Sequence, residues 1–154
     1  DVLMLRKNVQ PSDERHLFIC GLARSGTTIL LHSLDQTEQF RSLTYRDMPF
    51  VLMPNIWARL TRSFHGKYSA TERAHGDGLF VDTDSPEAFE EVFWRTFSSR
   101  HYILSDRLIP YDVENEVIHQ FRSYVALILT SSRGSERSRY LSKNNNKYAN
   151  WLEV

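Results

Sequence analysis

The chain has 154 residues, 41% hydrophobic and 25% charged, which suits one globular domain with its own core. Its 19 basic and 19 acidic side chains cancel, which argues against nucleic acid or an anionic membrane as partner, and no apolar run is long enough for a membrane-spanning helix. The lone cysteine, Cys20, rules out an intrachain disulfide, and the six histidines fall in no metal-ligand spacing, so no metal site is expected.

The start, Asp1 to Lys7, is too short for a signal peptide and lacks a cleavage pattern, so a cytoplasmic setting is expected. It also lacks an initiator methionine, which suggests a fragment. Residues Met4 to Arg15 read as a polar lead-in. His16 to Cys20 predicts the first strand, with Cys20 as a small buried hydrophobe at its end. Gly21 stops the apolar run, and Leu22-Ala23-Arg24-Ser25-Gly26-Thr27-Thr28 follows. A helix is predicted from Gly26 or Thr27 to Leu34, closing near Asp35. A glycine-bounded loop of this kind turns backbone N–H groups toward one point at the positive end of the next helix. An anion, most simply a phosphate, is expected there. The Gly-x4-Gly spacing is that of the nucleotide P-loop, but Thr27 stands where that motif has lysine. The positive charge lies inside the loop instead, at Arg24.

Arg41 to Tyr45 predicts a second short strand. Phe50, Met53, Ile56, Trp57 and Leu60 recur at helical spacing, predicting a helix from Pro49 to about Ser63 that Pro54 kinks or divides. Phe64 to Asp84 is polar and holds Gly66, Gly76 and Gly78, which reads as a loop with room for a short hairpin. On length and polarity it is the candidate for a recognition loop or a lid. Ser85 and Pro86 predict the N-cap and first position of the next helix, with Glu87 near its positive end. That helix carries Phe89, Val92, Phe93 and Phe97 inward and ends near Ser98. A longer helix is predicted from Val113 to Ser131, with Val113, Val117, Phe121, Val125 and Ile128 on one face. Arg133-Gly134-Ser135 is the exit turn, and Arg139-Tyr140-Leu141-Ser142 a buried parallel strand. Strand–helix–strand alternation predicts an α/β fold with a parallel sheet. Lys143-Asn144-Asn145-Asn146 follows that strand. Ligands of open α/β sheets bind at the carboxyl ends of strands. If this strand lies beside the first, Lys143 points into the crevice of the phosphate loop.

The run Arg24-Ser25-Gly26-Thr27-Thr28, directly after the first strand, resembles the 5′-phosphosulfate loop of the sulfotransferases that use 3′-phosphoadenosine 5′-phosphosulfate (PAPS). Tyr140 to Asn146 is similar to a form found in bacterial-type members. The resemblance implies a three-layer P-loop-like fold, with a central parallel sheet flanked by helices. It covers the chain as the N-terminal part of a longer enzyme, so the fold is expected to be incomplete at the C-terminus. The 3′-phosphate and adenine contacts are expected beyond Val154. The implied activity is transfer of a sulfuryl group from PAPS to an acceptor hydroxyl or amine, without a metal. The acceptor is not identified. Arg24, Ser25, Gly26, Thr27 and Thr28 are the implied nucleotide-binding residues. Lys143 is expected beside the transferring group. Asp47, in Thr44-Tyr45-Arg46-Asp47-Met48-Pro49, is the best match to the general base, and also reads as a helix N-cap. Arg46 either binds the acceptor or pairs with a nearby acid. Two other readings stay open: a P-loop kinase or NTPase with a degenerate loop, which would depend on magnesium, and an inactive fragment that only binds nucleotide.

Overall fold

Leu17–Cys20 is β1, a short apolar strand that ends where Gly21 begins. In the computed structural model the described residues are 15–22, 24–61, 71–72, 80–102, 105, 109, 111–131 and 137–145. After β1 come α1 (Thr27–Asp35), β2 (Phe40–Arg41), a 3₁₀ turn (Tyr45–Asp47) and α2 (Pro54–Leu60). Then follow β3 (Thr71–Glu72), β4 (Phe80–Val81), α3 (Glu90–Tyr102), α4 (Asn115–Thr130) and β5 (Arg139–Asn144). The lead-in before Arg15, most of the loop from Phe64 to Asp84, the exit turn Arg133-Gly134-Ser135 and Asn146 lie outside the described residues.

The last strand enters the middle of the sheet. The order is β1-β5-β2, and both pairings are parallel. Ile19 stands opposite Lys143, and Cys20 opposite Asn144. This small open parallel sheet with helices is an α/β arrangement, as the alternation of elements predicts. β3 and β4 form a separate antiparallel pair. His16 helps set the register at the open end of β5, where its Nδ1 accepts the Tyr140 backbone N–H at 3.1 Å.

Alternation along the strands divides the core in two. Ile19 and Leu141 pack with Leu31 and Phe40 on the α1 side. Phe18 and Tyr140 turn the other way, onto Phe93 and Trp94 of α3 and Phe121, Tyr124, Val125 and Ile128 of α4. The second cluster is largely aromatic. Phe93 stacks on Tyr124 with ring centroids 5.2 Å apart, and Trp94 meets Phe121 at 4.7 Å. Tyr124 is fully buried and donates its hydroxyl to the Val51 carbonyl at 2.9 Å, which ties α4 to the segment before α2. Burial drives the Tyr124 and Tyr140 hydroxyls well above the ordinary tyrosine range, and the Glu90 carboxylate adds to it.

Several boundaries differ from the sequence expectation. The second strand is Phe40–Arg41: it starts one residue before the predicted Arg41 and ends four residues before the predicted Tyr45, since Thr44 bridges to Pro86 instead of pairing with β5. Pro54 neither kinks nor divides a long helix; it sits at the start of α2. The buried face of α2 is Pro54 and Ala58, while Phe50, Ile56 and Leu60 of the apolar stripe are exposed. α3 begins at Glu90, not at Ser85. The Ser85 hydroxyl is held in a turn instead, accepting the Asp82 N–H at 3.0 Å and donating to Asp82 Oδ1 at 2.9 Å. Val92 faces solvent, and Trp94 and Glu90 take buried places on α3. Cys20 is exposed, not buried, because it lies beyond the last covered position of β1. Its thiol is nevertheless raised above the usual range, first by the protein around it and then by the Glu90 carboxylate.

Candidate functional site

The loop after β1 closes tightly. The Ser25 backbone N–H and hydroxyl both donate to the Leu22 carbonyl, at 3.2 and 2.7 Å. Gly21 has no room for a side chain: a Cβ there would lie 2.9 Å from both Ser25 Oγ and Thr27 Cγ2. Two residues take left-handed backbone, Arg24 at φ 68° and Gly26 at φ 84°. Gly26 adopts it without strain. Arg24 does not, and strain of about 1–2 kcal/mol at a non-glycine residue is often found at functional loops. Its side chain is exposed at the loop surface.

The turn at Gly26 starts α1. No side chain caps this helix, and its first turn holds no acid. The Leu30 N–H bonds back to the Gly26 carbonyl at 3.1 Å, so the amides before Leu30 make the open positive end. Ser25 is exposed and Thr28 partly so, whereas Thr27 is buried.

Lys143 reaches this end from β5. Sequence placed it just past the strand; it lies within β5, with 5% of its surface exposed. Leu141 and Lys143 project to the α1 side, opposite to Tyr140 and Ser142. The Lys143 ammonium donates to Thr28 Oγ1 at 2.7 Å and to Glu87 Oε1 at 3.4 Å. A second tie runs from the Thr27 hydroxyl to Asn145 Oδ1 at 3.1 Å. The loop hydroxyls and the exit of β5 therefore form one hydrogen-bonded cluster. Of the expected site residues, Thr27, Thr28 and Lys143 belong to it directly. Arg24, Ser25 and Gly26 shape the loop beside it.

Asp47 is held within the 3₁₀ turn. It is 1% exposed, and its Oδ2 accepts the Thr44 backbone N–H at 2.8 Å and the Thr44 hydroxyl at 3.1 Å. Its Oδ1 is 3.7 Å from the buried Arg41 guanidinium. It thus closes a capping box backward onto Thr44, and does not cap a helix at Met48 and Pro49. Arg46 is paired with Asp84 through two bonds of 2.7 and 2.6 Å.

Two carboxylates near the cluster escaped the sequence reading. Glu87 receives the Ala88 N–H at 2.9 Å, the Tyr45 hydroxyl at 3.1 Å and the Lys143 ammonium. Glu90, 1% exposed, accepts the Trp94 indole N–H at 2.8 Å and the hydroxyls of Tyr140 and Ser142. The only local signal was the acid after Pro86, and nothing in its spacing pointed toward Lys143.

The chemistry open to this arrangement is anion binding beside a shielded cation. An uncapped helix end, a strained arginine in the loop and a nearly buried lysine all favour negative charge. Among the described residues no cluster of histidine, cysteine and carboxylate side chains has the make-up of a metal site. No described helix is long and apolar enough to cross a membrane. Comparison with protein-family models, curated proteins and solved structures gives no match to this chain.

Proposed function

We propose that the chain is the nucleotide-binding part of a cytoplasmic PAPS-dependent sulfotransferase, and that its sheet begins a three-layer P-loop-like fold. The observation that carries this reading is the bond from the Lys143 ammonium to Thr28 at the uncapped start of α1. It brings a shielded cation to the first turn of α1. Arg24 and the Gly26, Thr27 and Thr28 amides hold the 5′-phosphate, with Ser25 keeping the loop closed through its bond to the Leu22 carbonyl. Lys143 neutralises charge on the sulfuryl oxygens and the bridging oxygen as that bond breaks. Donors held in place beforehand stabilise this charge without reorganising. Asp47 keeps its carboxylate for Thr44 and Arg41, so we give it the role of shaping the turn. The partners are the nucleotide and an acceptor hydroxyl or amine.

Calorimetry with adenosine 3′,5′-bisphosphate, with and without magnesium, tests the reading. Metal-independent binding that is lost in Arg24→Ala supports it. Magnesium-dependent binding of ATP in its place favours a kinase or NTPase, and no binding of either favours an inactive fragment.

A further inference from the structure

We propose that Glu87 takes the proton from the acceptor, a role the sequence gives to Asp47. This inference rests on the sulfuryl-transfer reading above. Lys143 bridges two groups: Thr28 on the phosphate-loop side at 2.7 Å, and Glu87 at 3.4 Å. A cation that neutralises a transferring sulfuryl group faces the leaving phosphate on one side and the incoming acceptor on the other, since attack and departure are in line. Thr28 belongs to the phosphate side. Glu87 is then the carboxylate at the acceptor side. By contrast, Asp47 is bound within its own turn, and its hydrogen bonds and ion pair run to Thr44 and Arg41.

The Glu87 carboxylate is fixed and still reachable. The Ala88 N–H holds Oε1 at 2.9 Å and the Tyr45 hydroxyl holds Oε2 at 3.1 Å, while 13% of the side chain is exposed. Titratable groups among the described residues that contact it include Lys143 from β5 and Tyr45 from the 3₁₀ turn; the neighbouring Arg46 is paired with Asp84. In the step, the acceptor oxygen forms its bond to sulfur. The bond from sulfur to the bridging oxygen breaks, and its electron pair leaves on the 5′-phosphate of adenosine 3′,5′-bisphosphate. The acceptor proton passes to a Glu87 carboxylate oxygen and then to solvent.

Release of inorganic sulfate from PAPS, with water as acceptor, tests this without a known natural acceptor. Binding of adenosine 3′,5′-bisphosphate is measured alongside. Glu87→Gln is expected to bind the bisphosphate as wild type does, to release sulfate about 10²-fold more slowly, and to lose the acid limb of the pH–rate profile. Glu87→Asp is expected to recover part of the rate and to keep a displaced limb. Wild-type turnover in Glu87→Gln overturns the proposal, as does a loss of nucleotide affinity that matches the loss of rate. If Glu87→Gln does not fold, an unmoved acid limb in Glu87→Asp overturns it equally. A wild-type chain that binds the bisphosphate but releases no sulfate overturns this inference alone. One that binds no bisphosphate removes the sulfotransferase reading with it.

Discussion

The Lys143 ammonium donates to the Thr28 hydroxyl across 2.7 Å, which joins the middle strand of the sheet to the first turn of α1. The two residues are 115 positions apart in sequence. Parallel pairing of β1 with β5 brings them together, since Lys143 stands opposite Ile19, one residue before the end of β1. A buried lysine is stable only where its charge is answered, and here Thr28 and Glu87 answer it.

Replacement of Lys143 by alanine is therefore expected to separate rate from affinity. Sulfate release should fall about 10²–10³-fold, the usual effect of losing one preorganised charge donor. Affinity for adenosine 3′,5′-bisphosphate, which lacks the sulfuryl group, should change far less. Equal losses in both would remove the catalytic assignment.

Arg24 offers a test in which stability and binding move apart. Its left-handed backbone, φ 68°, suits glycine. Arg24→Gly should be more stable than Arg24→Ala by roughly 1 kcal/mol, read from thermal melts. Both should weaken bisphosphate binding alike, since both lose the guanidinium. An unchanged affinity in either variant contradicts the role of Arg24 at the 5′-phosphate.

Asp35, at the end of α1, sets a pH dependence of folding. Burial raises its carboxyl above the usual aspartate range, and the Arg137 guanidinium at 3.4 Å only partly offsets this. The folded state thus holds this proton more tightly than the unfolded chain does. The stability it contributes is fully present below the ordinary aspartate value and is lost as pH rises through the raised one. Urea midpoints followed from about pH 3 to about pH 7 should fall less steeply with rising pH in Asp35→Asn than in wild type. Parallel profiles would contradict the assignment.

Glu90 is expected to matter for folding more than for nucleotide. Glu90→Ala leaves the Trp94 indole and the Tyr140 and Ser142 hydroxyls short of an acceptor in the core. The loss should be roughly 3 kcal/mol by denaturant unfolding, and Glu90→Gln should recover part of it. A variant as stable as wild type would show that these donors find other partners.

The loop after β1 was legible because its chemistry is local. Gly21, Gly26 and the hydroxyls around them specify a tight turn and a helix start within a few residues, and the turn closes through Ser25 and Leu22. α4 was legible for a similar reason: Phe121, Val125 and Ile128 repeat on one face, and all three are buried. The stripe on α2 misled because so short a helix takes its inward face from packing. Ala58, the small residue, lies inside, while Ile56 and Leu60 face out. The start of α3 was missed because Ser85 satisfies Asp82 rather than a helix end.

By itself, the sequence determined the loop, the cation Arg24 within it and the parallel α/β plan, since turn chemistry and apolar periodicity act over a few residues. Only the tertiary structure decided which carboxylate meets Lys143. Asp47 and Glu87 are chemically alike, and both lie far from Lys143 along the chain. Asp47 folds back onto Thr44, and Glu87 is carried to β5 by the extended segment that bridges Pro86 to Thr44. Which acid approaches which base depends on strand order, a long-range property that local residue patterns do not encode.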